Sequence, residues 1–360
     1  MGKHVKLGIV GLIRGGSVGY HTIGDEAIKI TAICDKNVET LNKVRQRYEE
    51  KGLREFKCFT DFDEMLKADV DAVYVATDAI CHVPFVLKAL DAGKHVISEI
   101  PAVNSVKEAE ELKRAVKAHP ELKYMAGENC FYWAFIQEWK RIYEDNKIGR
   151  AMYAEAEYLH SELPINTCNG LDNKNHWRVF NPAIKYVTHD LGPLLYILGD
   201  KCVSVTCMEP DVVSNPNRNS RGTGVALFKT VKGAVIKILT CFEGYLASDH
   251  NFAIIGTEGS LETDKIKNVA EAHSWARMTE IEGSNYNKIE IPVTRIYKGE
   301  DGSSGHGGAD LKMMRDFARC IIEDTPSPID VDMAINISLP GIIAAQSAEM
   351  GGMPLRIPET

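Results

Sequence analysis

The apolar run VKLGIVG at residues 5–11 passes directly into a glycine-dense turn and a helical stretch, LIRGGSVG. A strand that breaks on glycine and feeds a helix begins a βαβ unit, whose crossover helices cover both faces of a parallel sheet. The theme then repeats. Strand-like runs recur at IKITAIC (28–34), AVYVAT (72–77), HVISE (95–99) and KYMAG (123–127). Between them lie helical patterns such as VETLNKVRQRYEEKG and VPFVLKALDAGKH, each closed by a glycine suited to end a helix. Strands apolar on both faces alternating with helices predict a doubly wound parallel sheet, a Rossmann domain over 1–126.

Beyond residue 127 the texture changes. A helical stretch, FIQEWKRIYEDNKIG, leads into AMYAEAEYLH, VSVTCM, GVALFKT, GAVIKILTCF and NFAIIG, which alternate with period two. Such alternation predicts a large, open, mostly antiparallel sheet with one covered face. Two helices close the chain at roughly 308–323 and 331–350. The expected fold is therefore α/β, with a second α/β domain over 127–360 for substrate binding and oligomerisation. The uncovered sheet face is the expected surface for a homo-oligomer. At 360 residues the chain is longer than one core usually supports, which agrees with two domains.

A formal charge of −8, with Lys and Arg scattered, offers no basic footprint for nucleic acid or an anionic membrane. The N-terminal apolar run is too short for a signal peptide, and no stretch reaches membrane-spanning length. The nine cysteines are odd in number, form no C-x-x-C motif, and sit partly in strand-like runs. Reduced thiols, a cytoplasmic location and no metal site are the expectation.

The glycine turn has the context of a dinucleotide fingerprint. Gly11 makes the tight turn, and Gly16 allows close helix–strand packing. Ile13 stands where the middle glycine normally lets the backbone approach a pyrophosphate, with Gly15 to restore room and Arg14 to meet a phosphate. Asp35 ends the second strand nineteen residues after Gly16, where a carboxylate bonds the adenosine ribose and disfavours a 2′-phosphate. NAD is thus the expected cofactor. Asp35 as a helix N-cap is the alternative, and both roles could hold together.

In KYVTHDLGP (185–193), Lys185 and His189 lie four apart and Tyr186 and His189 three apart. On one helix either spacing puts side chains on one face. As an imidazole, His189 suits proton transfer from a hydroxyl. Tyr186 needs a nearby cation to serve as a base, which Lys185 would supply unless it points to solvent. A packed structural histidine at a helix end is the plainer alternative. His4, His119, His250 and His273 have no neighbours in sequence that suggest function.

VATDAICHVPFVLKALDAGKHVISEIPA (75–102) and IGTEGSLETD (255–264), with His189 ten residues before Gly199, resemble the Gfo/Idh/MocA oxidoreductases over nearly the whole chain. That resemblance implies hydride transfer at a sugar or cyclitol carbinol. It also implies Thr77, His82, Glu99, Pro101 and Asn129 beside the cofactor, with Glu99 and Asn129 positioning the nicotinamide ribose or ring. The family usually has Glu-Lys-Pro where this chain has Glu99-Ile100-Pro101, and isoleucine cannot move a proton. Its usual aspartate four residues before the histidine is Lys185. The proton-handling duty is expected to have moved to Lys185, Tyr186 and His189.

A narrower resemblance is to glycoside hydrolase family 109, whose members use NAD catalytically. It rests on GENCFY (127–132), Tyr158-Leu159-His160, Trp177-Arg178, Tyr186-Val187-Thr188-His189-Asp190-Leu191-Gly192-Pro193 and His306-Gly307-Gly308-Ala309-Asp310. The chain lacks that family's export signal. The likeness implies oxidation at C3 of a pyranoside, loss of the C2 proton and the C1 substituent, then hydration and return of the hydride. Tyr158 is the candidate for the C2 proton or the leaving group, with His160 on the same strand face. Ordinary sheet packing is the alternative for both. His176 and Arg178 suit hydrogen bonds to sugar hydroxyls, Trp177 offers a stacking face, and His306 precedes a helix where it could close a pocket. A plain NAD-dependent sugar or inositol dehydrogenase, and a non-catalytic nucleotide-binding regulator, are the other readings.

Overall fold

A computed structural model describes residues 4–160, 177–213, 220–244, 249–263, 274–278, 287–291 and 305–360. The first strands form as their patterns require: β1 (Val5–Val10), β2 (Ile28–Cys34), β3 (Lys57–Phe59), β4 (Ala72–Val75), β5 (His95–Ser98) and β6 (Tyr124–Ala126). All pair in parallel, in the order β3-β2-β1-β4-β5-β6. Strand order reverses beside β1, and ligands of such sheets bind at that reversal, beyond the carboxyl ends of the strands. Helices α1 (Arg14–Thr22), α2 (Val38–Glu50), α3 (Phe62–Leu66), α4 (His82–Asp91) and α5 (Val106–Ala118) supply the crossovers.

Local chemistry sets their ends. Asn37 and Ser105 cap α2 and α5, their side chains accepting from Thr40 and Glu108 amides. Asp35 is therefore not the cap of α2. Gly11 has φ +85°, and a Cβ there would lie 2.3 Å from the Ala76 carbonyl oxygen, so only glycine makes this turn. The glycines that admit β1 are Gly15 and Gly19, whose Cβ atoms would meet Ile9 at 2.7 and 2.5 Å. Gly16 instead faces Val44 of α2, at 2.9 Å. This corrects the expectation that Gly16 packs the helix on the strand.

In the second unit the described elements are α6 (Ala134–Glu144), β7 (Ala151–Leu159), α7 (Trp177–Phe180), α8 (Thr188–Leu198), β8 (Cys202–Met208), β9 (Thr223–Thr230) and β10 (Val235–Cys241). They continue with β11 (Asp249–Gly256), β12 (Gly259–Thr263), β13 (Ser274–Met278) and β14 (Asn287–Ile291). Two helices, α9 (Ala309–Ile322) and α10 (Val331–Glu349), and a short strand, β15 (Leu355–Arg356), complete the chain. The sheet runs β14-β13-β12-β11-β7-β10-β9-β8-β15, antiparallel except where β7 lies parallel to β10. Ala154, Ala156 and Tyr158 of β7 are buried, with α8 packed over that strand. On the opposite face Val225, Leu227 and Ile255 are more than a third exposed.

The chain divides differently from the expected 1–126 and 127–360. The first unit comprises residues 1–129, 301–335 and 360, and the second 130–300 and 336–359. Helix α9 returns to the first unit because its apolar face, with Met313, Met314 and Phe317 buried, packs against α1 and β1. Helix α10 begins in the first unit and ends in the second.

Candidate functional site

At the carboxyl ends of β1 and β2, the Asp35 carboxylate accepts from the Leu12 amide (2.8 Å) and the Asn37 amide (2.8 Å). It thus ties the glycine turn to β2, and each oxygen keeps a lone pair for ribose hydroxyls. The helical ladder of α1 starts with the Gly15 amide on the Gly11 carbonyl, so the Ile13 and Arg14 amides stand ahead of it. A helix start of this kind receives a pyrophosphate. Ile13 is 78% exposed at the mouth of the turn. The Gly11 turn, the helix start and Asp35 together fit a dinucleotide.

Arg14 is committed elsewhere. Its guanidinium donates from Nε to Glu99 (2.8 Å) and from both terminal nitrogens to Asp310 (2.8 and 2.7 Å). The expected phosphate contact is therefore not what holds this side chain, because two carboxylates already use its donor fork. Burial works against its charge, yet Glu99 and Asp310 outweigh it and hold the guanidinium above its ordinary pKa. Burial would raise the Asp310 carboxyl too, but the hydrogen bond with His306 (3.0 Å) and the Arg14 charge hold it well below the usual carboxylate range. Asn129 donates to Asp310 at 2.9 Å. Tyr74 donates to Glu99, and burial with that carboxylate alongside pushes the phenol well above its ordinary value. The structure thus joins Arg14, Asn129 and His306 through Asp310, the last residue of the quoted His-Gly-Gly-x-Asp run, and Glu99 through Arg14; Tyr74, on Glu99, is a residue that sequence reasoning did not single out. His306, at φ +54°, serves this network in the first unit.

The other expected cofactor residues are also linked. His82 is buried, with Nδ1 2.9 Å from the Pro101 carbonyl oxygen and Nε2 3.0 Å from that of Thr77. Ile100 is buried beside them and brings no titratable group.

The second unit holds a cluster of rings. Residues 183–186 form a 3₁₀ turn, and α8 starts afresh at Thr188. Gly224 permits this seat, since a Cβ there would lie 2.9 Å from Ile184 Cβ. The break separates Lys185 from the helix face of His189. Among the described residues Lys185 makes no side-chain hydrogen bond, ion pair or ring contact, so the expected trio becomes a different one.

Tyr186 meets His189 edge-on at 5.3 Å between ring centroids, and Tyr158 meets His189 at 5.4 Å and Tyr186 at 6.4 Å. His160 lies 5.8 Å from Tyr158 on the same strand face, and Trp177 lies 6.5 Å from Tyr186. His176 falls outside the described residues, as does the side chain of Arg178. Two residues are additions to the sequence reading. Cys130 Sγ is 3.1 Å from His189 Nδ1, and a Cys beside the Asn-x-x-Tyr segment was the available signal. His250 stacks on Tyr158, contrary to the expectation that it has no functional company.

Comparison with known proteins completes the picture. Residues 5–127 match the "oxidoreductase family, NAD-binding Rossmann fold" model, residues 136–262 the "GFO/IDH/MocA C-terminal domain", and residues 225–360 the "glycosyl hydrolase 109, C-terminal domain". A glycosyl hydrolase family 109 protein of Saccharopolyspora erythraea is 26% identical over 99% of this chain and 83% of its own length. One of Solibacter usitatus is 26% identical over 99% and 88%. By fold, levoglucosan dehydrogenase in complex with NADH and levoglucosan superposes with TM-score 0.82, at 17% identity, covering 99% of this chain and 100% of that one. The scyllo-inositol dehydrogenase of Lactobacillus casei, with NAD(H) and scyllo-inositol, gives 0.79 at 19% identity, covering 99% of each. Among the described residues no helix is long and apolar enough to cross a membrane. With the dinucleotide turn in one unit, the ring cluster in the other and family models matching across both, this chain is an NAD-dependent enzyme of the Gfo/Idh/MocA oxidoreductase family, in the branch that resembles glycoside hydrolase family 109.

Proposed function

We propose that this enzyme oxidises C3 of a pyranoside and then cleaves its glycosidic bond by elimination, hydration and reduction, with NAD recycled. The observation that carries the reading is the convergence of Tyr158, Tyr186 and His189 from three separate elements of the second unit. Bound NAD supplies the hydride acceptor and later returns the hydride.

His189 takes the C3 hydroxyl proton, since an imidazole holds and releases protons near neutrality. Cys130 Sγ lies at its Nδ1, 3.1 Å away. Tyr186 shares that proton at the edge of the same ring. Once C3 is a ketone, the C2 hydrogen is acidic because its anion delocalises into the carbonyl, and Tyr158 removes it. His160, His176, Trp177 and Arg178 bind the sugar. Asp35, the Gly11 turn, Ile13 and the start of α1 hold the cofactor's adenosine and pyrophosphate side. Glu99, Asn129, Thr77, His82 and Pro101 belong to its nicotinamide side, with Arg14 and His306 bracing them. This differs from paired-carboxylate glycosidases, whose two acids flank an oxocarbenium-like centre.

A plain NAD-dependent sugar or inositol dehydrogenase is the second reading. Its support is the fold likeness to levoglucosan and scyllo-inositol dehydrogenases. A panel of para-nitrophenyl pyranosides, incubated with purified protein with and without NAD⁺, separates the two. Nitrophenol release without matching NADH supports redox-neutral cleavage, and sustained NADH build-up supports the dehydrogenase. The exposed apolar face of the second sheet, with Val225, Leu227 and Ile255, supports pairing of copies through that face. A cytoplasmic location, where thiols stay reduced, belongs to the same proposal.

A further inference from the structure

Antiparallel pairing of β11 on β7 sets His250 directly opposite Tyr158. Their rings stack with centroids 4.2 Å apart and planes at 23°. At its edge the imidazole meets a carboxylate: His250 Nδ1 lies 3.0 Å from Asp190 Oδ1. Asp190 is fully buried and the His250 side chain is 16% exposed, with Trp133 closing on its edge at 5.0 Å. Asp190 follows His189 in α8, and a helix turns about 100° per residue. One turn of helix therefore places His189 against Tyr158 and Asp190 against the ring behind it.

A carboxylate without access to water is costly unless a positive partner balances it. A proton on both nitrogens of His250 would provide that balance at Asp190 Oδ1. A cation lying against the face of a phenol is drawn to its π electrons, and it stabilises the anion left when the phenol loses its proton. We propose that the Asp190–His250 pair is a positioning device for Tyr158, holding the plane of the phenol and favouring its phenolate. This rests on the reading of Tyr158 as the group that removes the C2 proton.

In that step the C2–H bond breaks and an O–H bond forms on Tyr158. The electron pair enters the enolate of the 3-ketone, then expels the C1 substituent as the C1–C2 double bond forms. The titratable neighbours of His250 are Tyr158 of β7, Asp190 and His189 of α8, and Asp249 on its own strand. Those of Tyr158 also include His160 and Tyr186.

The test uses the full-length protein loaded with NAD⁺, para-nitrophenyl α- and β-glucopyranosides and galactopyranosides, and D₂O. It follows NADH formation by absorbance and C2 deuteration by mass spectrometry. His250→Phe keeps a stacked ring without a charge. Its ratio of C2 exchange to NADH formation should fall about tenfold, with the rising limb of exchange moving about one unit to higher pH. Asp190→Asn should move both in the same direction. An unmoved ratio and pH limb in both variants, with exchange intact in the parent, overturns this proposal alone. Absence of C2 exchange in the parent, whatever its NADH formation, overturns the assignment of Tyr158 and this proposal with it. Should His250→Phe not fold by circular dichroism, His250→Gln gives the same two readouts.

Discussion

Around Arg14 the neighbours are tied by charge, with Glu99, Asp310, Asn129 and His306 joined through hydrogen bonds of 2.7–3.0 Å. Around Tyr158 they are held by ring faces and edges at 4.2–6.4 Å. The two settings suit different work. A carboxylate locked to a guanidinium keeps its charge at every working pH, so it fixes geometry and gives up no proton. Imidazoles and phenols packed by their faces have their positions set by packing, and their polar atoms can change protonation without breaking the cluster. On the proposed function, the first unit positions and the second exchanges protons.

The sharpest way to break this contrast is His189→Ala. Turnover should fall by about 10²–10⁴-fold, the usual worth of a positioned acid–base group. The melting temperature should change little. An equal loss of folding stability would make His189 a packing residue and erase the distinction.

Next in size is Asp310→Ala, which takes the partner from both terminal nitrogens of Arg14 and leaves Glu99 on its Nε. It should cost about 3 kcal/mol in urea unfolding, the low end for a broken buried pair, because Glu99 still balances the charge. The sign with pH is fixed by the depressed folded pKa of Asp310. Its contribution is fully present above the unfolded value of about 4 and is lost as pH falls through the folded one. Unfolding curves from pH 6 down to pH 3 should therefore show a shallower acid slope in Asp310→Asn than in the parent. A stability change of similar size in the ring cluster on Tyr186→Phe would blur the comparison.

The smallest effect sharpens it on the cofactor side. Asp35→Asn keeps the shape but loses the anion that favours ribose hydroxyls, so NAD⁺ affinity should weaken by about tenfold in calorimetry, equal to about 1.4 kcal/mol. NADP⁺ should weaken less, or gain.

The doubly wound sheet was legible because each of its longer strands carries its own apolar run and helices such as α2 and α4 end at a glycine. Strand β3, three residues long with two of them exposed, left no such mark. The return of α9 to the first unit was not legible either. An amphipathic pattern says that a helix needs cover, without saying which sheet provides it. Tyr186 and His189 were found from their spacing, and the structure brings them together. Lys185 shared the same spacing logic and failed it, because the expected single helix is interrupted at Val187, with a 3₁₀ turn before it. His250 was missed for a different reason. The readable run NFAIIG begins one residue after it, whereas β11 starts at Asp249, and pairing across strands is written in no local pattern. Tyr74 was hidden likewise, since its partner Glu99 lies far away along the chain, whereas Asp310 was read only as part of the His-Gly-Gly-x-Asp run.

Strand β7 sits inside its sheet, bonded to β10 on one side and β11 on the other. A slip of one residue against either neighbour would turn Tyr158 and His160 to the opposite face and bring Glu157 and Leu159 inward. A molecule threaded in that way would lack a core and the proposed base together. Quality control of the fold is thus quality control of the chemistry, and few misassembled yet active copies can arise.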